Sequence, residues 1–201
     1  VQERRLSIGG MTLLTVWNDS DPQTPELQTR DADTIREVLA GLGARFSRWE
    51  LKELSAEPTQ EEVLEAYRAE IDQVNAEHGY SLVDVVSITP DDSDEYRSNA
   101  AAARQKFLSE HQHDDDEDRF FARGSGVFYL HVNGKVHAVF CEAGDLLSVP
   151  KDTTHWFDMG TNPDYVSVRF FHDDDGWVGN FTGSDVAIRF ATYDELAAVP
   201  A

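Results

Sequence analysis

The chain has 201 residues, of which 40% are hydrophobic, 10% aromatic and 27% charged. That is enough for one domain with its own core, and too aromatic for a disordered chain. Thirty-eight acidic residues against 17 basic ones give a formal net charge of -21, which argues against a nucleic-acid partner or an anionic membrane, since both call for a basic face. Cys141 is the only cysteine, so no intrachain disulfide forms, and its apolar neighbours suggest an inert core thiol. No apolar stretch approaches the roughly 20 residues of a membrane-spanning helix. Residues 1–10 include Arg4 and Arg5 but no apolar core of a signal peptide. They read as an N-terminal extension to a single domain over residues 11–201, with the cytoplasm as the expected location.

In chain order, Met11–Trp17 is the first strand candidate. Asp31–Leu42 reads as a helix, because Ile35, Val38, Leu39 and Leu42 fall on one face, and Gly43 suits its end. Thr59-Gln60-Glu61-Glu62 fits a capping box opening a longer helix, with Val63, Leu64, Tyr67, Ile71 and Val74 as its apolar stripe and its end before Gly79. Ser81–Thr89 reads as a strand and Asp94–Leu108 as a third helix. Strands then crowd together. Val127–Val132 and Lys135–Cys141 flank Asn133-Gly134, a strong signal for a tight hairpin because both turn residues tolerate positive φ. Leu146–Val149, His155–Phe157 and Tyr165–Phe171 follow. The pattern predicts a mainly β chain with peripheral helices (α+β), built as a sandwich or closed barrel.

The chemistry concentrates in Glu110-His111-Gln112-His113-Asp114-Asp115-Asp116-Glu117. Two histidines one residue apart on a strand share a face and can grip one cation. A carboxylate after a bend can rejoin them, and His155 is the best-placed distant fourth ligand. Asp114, Asp115, Asp116 and Asp118 compete with Glu117 for the carboxylate role. His78, His131, His137 and His172 lack any paired arrangement and read as surface or supporting residues.

The wider spacing is more specific. His111-x-His113-x3-Glu117-x6-Gly124 matches the first cupin motif, and Gly144-x5-Pro150-x4-His155 most of the second. This selects Glu117 and implies a double-stranded β-helix, or jelly-roll barrel. Cupins usually have glycine two residues after that proline, whereas this chain has Asp152, which puts the local turn in question. Three imidazoles and one carboxylate suit Fe, Ni, Co, Mn or Zn, and nothing selects a soft metal. An octahedral ion so held keeps two open positions, suited to a chelating oxygenated small molecule.

Further strings carry a closer resemblance: Phe107-Leu108-x-Glu110-His111-x-His113, Glu117-x-Arg119-Phe120-Phe121, Val149-Pro150-x-x-Thr153-x-His155-Trp156-Phe157-Asp158-Met159-Gly160, and Gly176-Trp177 with Phe181-Thr182-Gly183. Over nearly the whole chain the sequence resembles the acireductone dioxygenase family of the bacterial type. The resemblance implies a step of methionine salvage, with an acireductone and O2 as partners and one Fe(2+) or Ni(2+) ion held by His111, His113, Glu117 and His155. It further implies Arg119 as a catalytic and substrate-binding residue, Arg169 as a second substrate contact, and Phe107, Phe157 and Trp177 as pocket walls. A salt bridge within an acidic chain is the competing reading of each arginine, and core packing that of each aromatic. A monomer is expected. The rival functional readings are another metal-dependent cupin dioxygenase or isomerase, and a cupin that only binds a metal or small molecule.

Overall fold

The computed structural model describes residues 12–176 and 178–201. The expected extension at 1–10, the start of the first strand at Met11, and Trp177 lie outside the described residues. One antiparallel sheet contains β1 (Leu13–Asn18), β2 (Leu27–Thr29), β5 (His111–Gln112), β7 (Gly126–Val132), β8 (Lys135–Cys141), β10 (His155–Asp158) and β12 (Asn180–Phe181), in the order β12-β5-β10-β7-β8-β1-β2. The second contains β3 (Arg45–Arg48), β4 (Leu82–Ile88), β6 (Glu117–Gly124), β9 (Asp145–Val149) and β11 (Tyr165–Phe171), in the order β3-β9-β6-β11-β4. The helices are α1 (Ala32–Ala40), α2 (Gln60–Ala66), α3 (Arg68–His78), α4 (Asp94–Leu108) and α5 (Tyr193–Ala197). The two sheets form the expected cupin-type jelly roll. Among the described residues, no helix is long and apolar enough to cross a membrane.

Strand alternation decides what the space between the sheets contains. Phe128, Leu130, Val139 and Phe157 from the first sheet meet Phe121, Leu147, Val149 and Tyr165 from the second in one buried cluster. The opposite faces are covered too. On the second sheet, Phe120, Val166, Val168 and Phe170 pack against Val63, Tyr67, Ile71 and Val74 of the α2–α3 region. On the first, Tyr129, Ala138 and Trp156 pack against Val186, Phe190 and Leu196 near the C-terminus. With both faces of each sheet covered, β10 and β11 lose the polar-out pattern of a half-exposed strand. Trp156 faces one core while His155 and Phe157 face the other.

Two local expectations are corrected. The helix expected from Thr59 to before Gly79 is kinked: α2 and α3 join at Tyr67, whose φ of -108° and ψ of 19° leave the helical region. Hydrogen bonds from Tyr67 N to Val63 O and from Ile71 N to Tyr67 O run through the join. The kink accompanies complete burial of the Tyr67 ring against Phe120, at 4.8 Å, with its hydroxyl accepting from Lys52 N. The capping box there is half made. Thr59 Oγ1 accepts from Glu62 N, but the Glu62 carboxylate is taken by Ser55, through N at 2.6 Å and Oγ at 2.7 Å. Among the described residues, a complete capping box forms at Thr192 and Glu195, opening α5.

The hairpin turn forms as expected, with φ of 54° at Asn133 and 74° at Gly134. Asp152 resolves the question raised by its departure from the cupin glycine. It adopts φ 62°, the left-handed conformation glycine would take, and its N–H donates to His113 O at 2.9 Å. The turn is kept and the strain is borne by an aspartate, one of the few residues that tolerate this region. Asp152→Gly should therefore stabilise the fold by about 0.5–1 kcal/mol, the left-handed penalty less the extra entropy of a glycine in the unfolded chain, read as a higher urea midpoint with an unchanged slope.

Candidate metal centre

At one end of the barrel, β5 lies between β10 and β12, and places His111 directly opposite His155 across the antiparallel pair. β5 is only two residues long. His113 stands just past its end, where the chain enters the Asp114–Asp116 turn, so the two histidines do not lie on one regular strand. Their rings still meet: centroids are 4.9 Å apart for His111 and His113, 4.5 Å for His111 and His155, and 5.0 Å for His113 and His155. One ring nitrogen from each lies within 4.8 Å of the others, and all three residues are buried, close to the separations of about 3–4 Å that bonds of about 2.1 Å to a single ion require.

The donor set fits a divalent metal for a further reason. Each Nδ1 donates to a backbone carbonyl: His111 to Ser109 at 2.7 Å, His155 to Thr153 at 2.8 Å, and His113 to Val178 at 2.9 Å. A carbonyl can only accept, so each neutral ring carries its proton on Nδ1 and keeps its Nε2 lone pair for an ion. Glu117 starts β6 and points to the same space, with Oε2 3.5 Å from His113 Nε2. Its other oxygen, Oε1, accepts from Arg119 at 2.6 Å. The carboxylate thus reaches one imidazole with one oxygen and the guanidinium with the other. The grouping within 4.8 Å contains the three imidazoles alone, so the carboxylate stands farther than that from at least one of His111 and His155.

Burial lowers the pKa of His155 to about 3 and also lowers that of His111. Both are neutral at pH 7. Burial pushes the Glu117 carboxyl up, but the charge of Arg119 foremost brings it down to about 2, so it is an anion. The rival acids have other tasks. Asp114 accepts from Asn180, Asp115 from His172 and the backbone of Asp173, and Asp116 from the backbone of Lys151. Asp118 points to the opposite face of β6, toward Tyr80 and Arg45.

Phe107, Phe128, Phe157, Phe171, Arg119 and Arg169 line the same pocket as the three histidines and Glu117. Arg119 is buried between the Phe128 and Phe157 rings, 5.1 and 4.9 Å from their centroids. Its Nε has no hydrogen-bond partner among the described residues. Arg169 reaches the pocket while bonded to Asp84 through Nε at 2.8 Å and Nη2 at 2.6 Å, so the salt-bridge reading and the pocket reading hold together. Sequence reasoning missed Phe128 and Phe171. Phe171 was accessible, being two residues past Arg169 on one strand; Phe128 becomes visible only once the Phe157–Phe128 register is known.

The lowered imidazoles contribute to the pH response of the metal-free chain, against the raised His131 and His172. An unfolded histidine titrates near 6.5, whereas folded His155 titrates at about 3. Between those values the unfolded chain binds the extra proton, so stability falls as pH falls, by up to about 1.4 kcal/mol per unit for this group. Urea midpoints of the chelator-treated protein should drop from pH 7 to pH 5, and His155→Gln should flatten that slope.

Known proteins are similar to this chain over most of its length. The acireductone dioxygenase of Saccharopolyspora erythraea is 61% identical over 188 residues, covering 94% of this chain and 99% of its own. That of Frankia alni is 56% identical, covering 93% and 91%. The solved structure of acireductone dioxygenase from Bacillus anthracis, described with a cadmium ion in its active centre, superposes with a TM-score of 0.72 at 26% identity, covering 86% of this chain and 99% of that one. A model of the ARD/ARD' family matches residues 15–179. Taken with the buried histidine triad, these matches show that the chain belongs to the ARD/ARD' family, the acireductone dioxygenases.

Proposed function

We propose that this methionine-salvage dioxygenase holds one Fe(2+) or Ni(2+) ion on His111, His113, His155 and Glu117 and cleaves 1,2-dihydroxy-3-keto-5-(methylthio)pentene with O2. With iron the products are formate and 4-methylthio-2-oxobutanoate. With nickel they are formate, carbon monoxide and 3-methylthiopropanoate. Both sets account for every atom of the substrate and O2. The observation that carries the reading is the convergence of three buried imidazoles beside a carboxylate whose second oxygen is tied to Arg119.

A divalent ion bound there supplies a Lewis-acid centre for a chelating pair of substrate oxygens. The chain's own groups do the rest. The carbonyls of Ser109, Thr153 and Val178 fix the three ring tautomers. Arg119 holds Glu117 in its anionic form and orientation. Its positive charge, held away from water between two aromatic rings, also favours an anionic over a neutral substrate oxygen nearby. Arg169 offers a second guanidinium on the facing strand. Phe107 and Phe157 form apolar walls suited to a methylthioalkyl tail, and limit the water that reaches the reacting carbons. A long-range field of net charge -21 repels an anionic substrate, but charges beyond about 8 Å are screened at physiological salt. The local arginines then decide its binding.

Anaerobic reconstitution should separate the two outcomes. The Fe(2+) form should release keto acid and formate, and the Ni(2+) form carbon monoxide, in gas and liquid chromatography of the products. Absence of oxygen consumption with either fully loaded form contradicts the reading. Arg119→Gln should lower kcat by about 10²-fold or more, the usual effect of removing a donor to a developing oxyanion, with metal content unchanged by elemental analysis. A parallel loss of metal would limit Arg119 to supporting Glu117.

A further inference from the structure

Three charged residues form one row across the second sheet. Arg119 on β6 lies directly opposite Arg169 on β11, and Arg169 directly opposite Asp84 on β4. Like charges at directly opposed positions repel, so each arginine needs a separate reason to stay. Arg119 has Glu117 on its own strand. Arg169 has Asp84, through a bidentate pair that uses Nε and Nη2. Asp84 is not part of the pocket lining, and its side chain is 45% exposed against 17% for Arg169. No other carboxylate is hydrogen-bonded to Arg169 among the described residues. The Phe171 ring, 5.6 Å from the guanidinium carbon, supports the same placement.

We propose that Asp84 is a positioning residue for substrate binding: by holding Nε and Nη2 of Arg169, it leaves Nη1 as the donor offered to an anionic oxygen in the pocket. A fork held at two points cannot rotate about its own axis, so the third donor is fixed at little further entropic cost. Without Asp84, Arg169 faces Arg119 with only the charge of Glu117 on the neighbouring strand to offset it, and no hydrogen-bonded carboxylate holds Nε and Nη2 in place. The inference rests on the reading of Arg169 as a substrate contact.

The test uses the full chain loaded with Ni(2+) or Fe(2+), with metal content measured for every variant. Acireductone binding is followed anaerobically by ultraviolet absorbance, and turnover separately. Asp84→Asn should raise both KM and the anaerobic Kd by about tenfold while kcat stays within about threefold, the pattern of lost substrate binding. Asp84→Glu should recover most of the affinity, which a merely structural defect would not predict. In an Arg169→Gln background, Asp84→Asn should cause no further loss. Unchanged or tighter binding in Asp84→Asn overturns the proposal. So does an Asp84→Asn penalty of the same size in the Arg169→Gln background, which leaves Arg169 as a substrate contact but removes Asp84 from its support. Wild-type binding by Arg169→Gln overturns the proposal by removing Arg169 itself from the substrate, a different failure from the loss of Asp84's role.

Discussion

The site depends on the pairing of β5 with β10. Two residues of strand, held between β10 and β12, set His111 opposite His155, and every other candidate ligand is placed relative to that pair. So short a strand would not persist alone. It is kept by neighbours on both sides and by Glu110, whose backbone oxygen accepts from Thr182 N and whose carboxylate accepts from Thr182 Oγ1 and His131. The residue before the first ligand is thus fastened more firmly than β5 could fasten it by itself.

Around that pair the molecule brings opposite charges to opposite scales. The surface is heavily acidic, but the centre is built from three imidazoles, one carboxylate and two guanidiniums. Burial favours the neutral form of His111 and His155, which leaves Nε2 unprotonated, the state a metal requires. Arg119 keeps Glu117 charged despite its burial. Arg119 and Glu117 are therefore interdependent, since the guanidinium is accommodated in a largely aromatic setting because the carboxylate is there. Removing either one leaves an uncompensated buried charge.

Much of this was legible in the chain itself. The Asn133-Gly134 hairpin, the span of α4 and the strand at Tyr165–Phe171 follow from local turn chemistry and residue type, and they form where the pattern put them. The four ligand candidates were readable from spacing because cupin motifs place ligands at fixed positions along neighbouring strands. What was not legible depends on contacts distant in sequence. Tyr67 interrupts an otherwise continuous helical pattern at the residue whose ring is buried on Phe120. The Val178 carbonyl that sets the His113 tautomer is 65 residues away. Asp84 is an ordinary acid in a Val-rich strand until β4 is registered against β11. Asp152 shows the reverse case: the departure from the motif was plain, but only the backbone angle reveals that the turn survived it.

The central claim is that three imidazoles and the Glu117 carboxylate hold a single ion. X-ray absorption spectroscopy of the protein reconstituted with one equivalent of Ni(2+) tests it most directly. The account predicts a nickel shell with the multiple-scattering signature of three imidazoles, reduced to two in His155→Ala. A shell made almost wholly of oxygen, with no imidazole scattering and no change in His155→Ala, would place the ion in the neighbouring acidic run and contradict it.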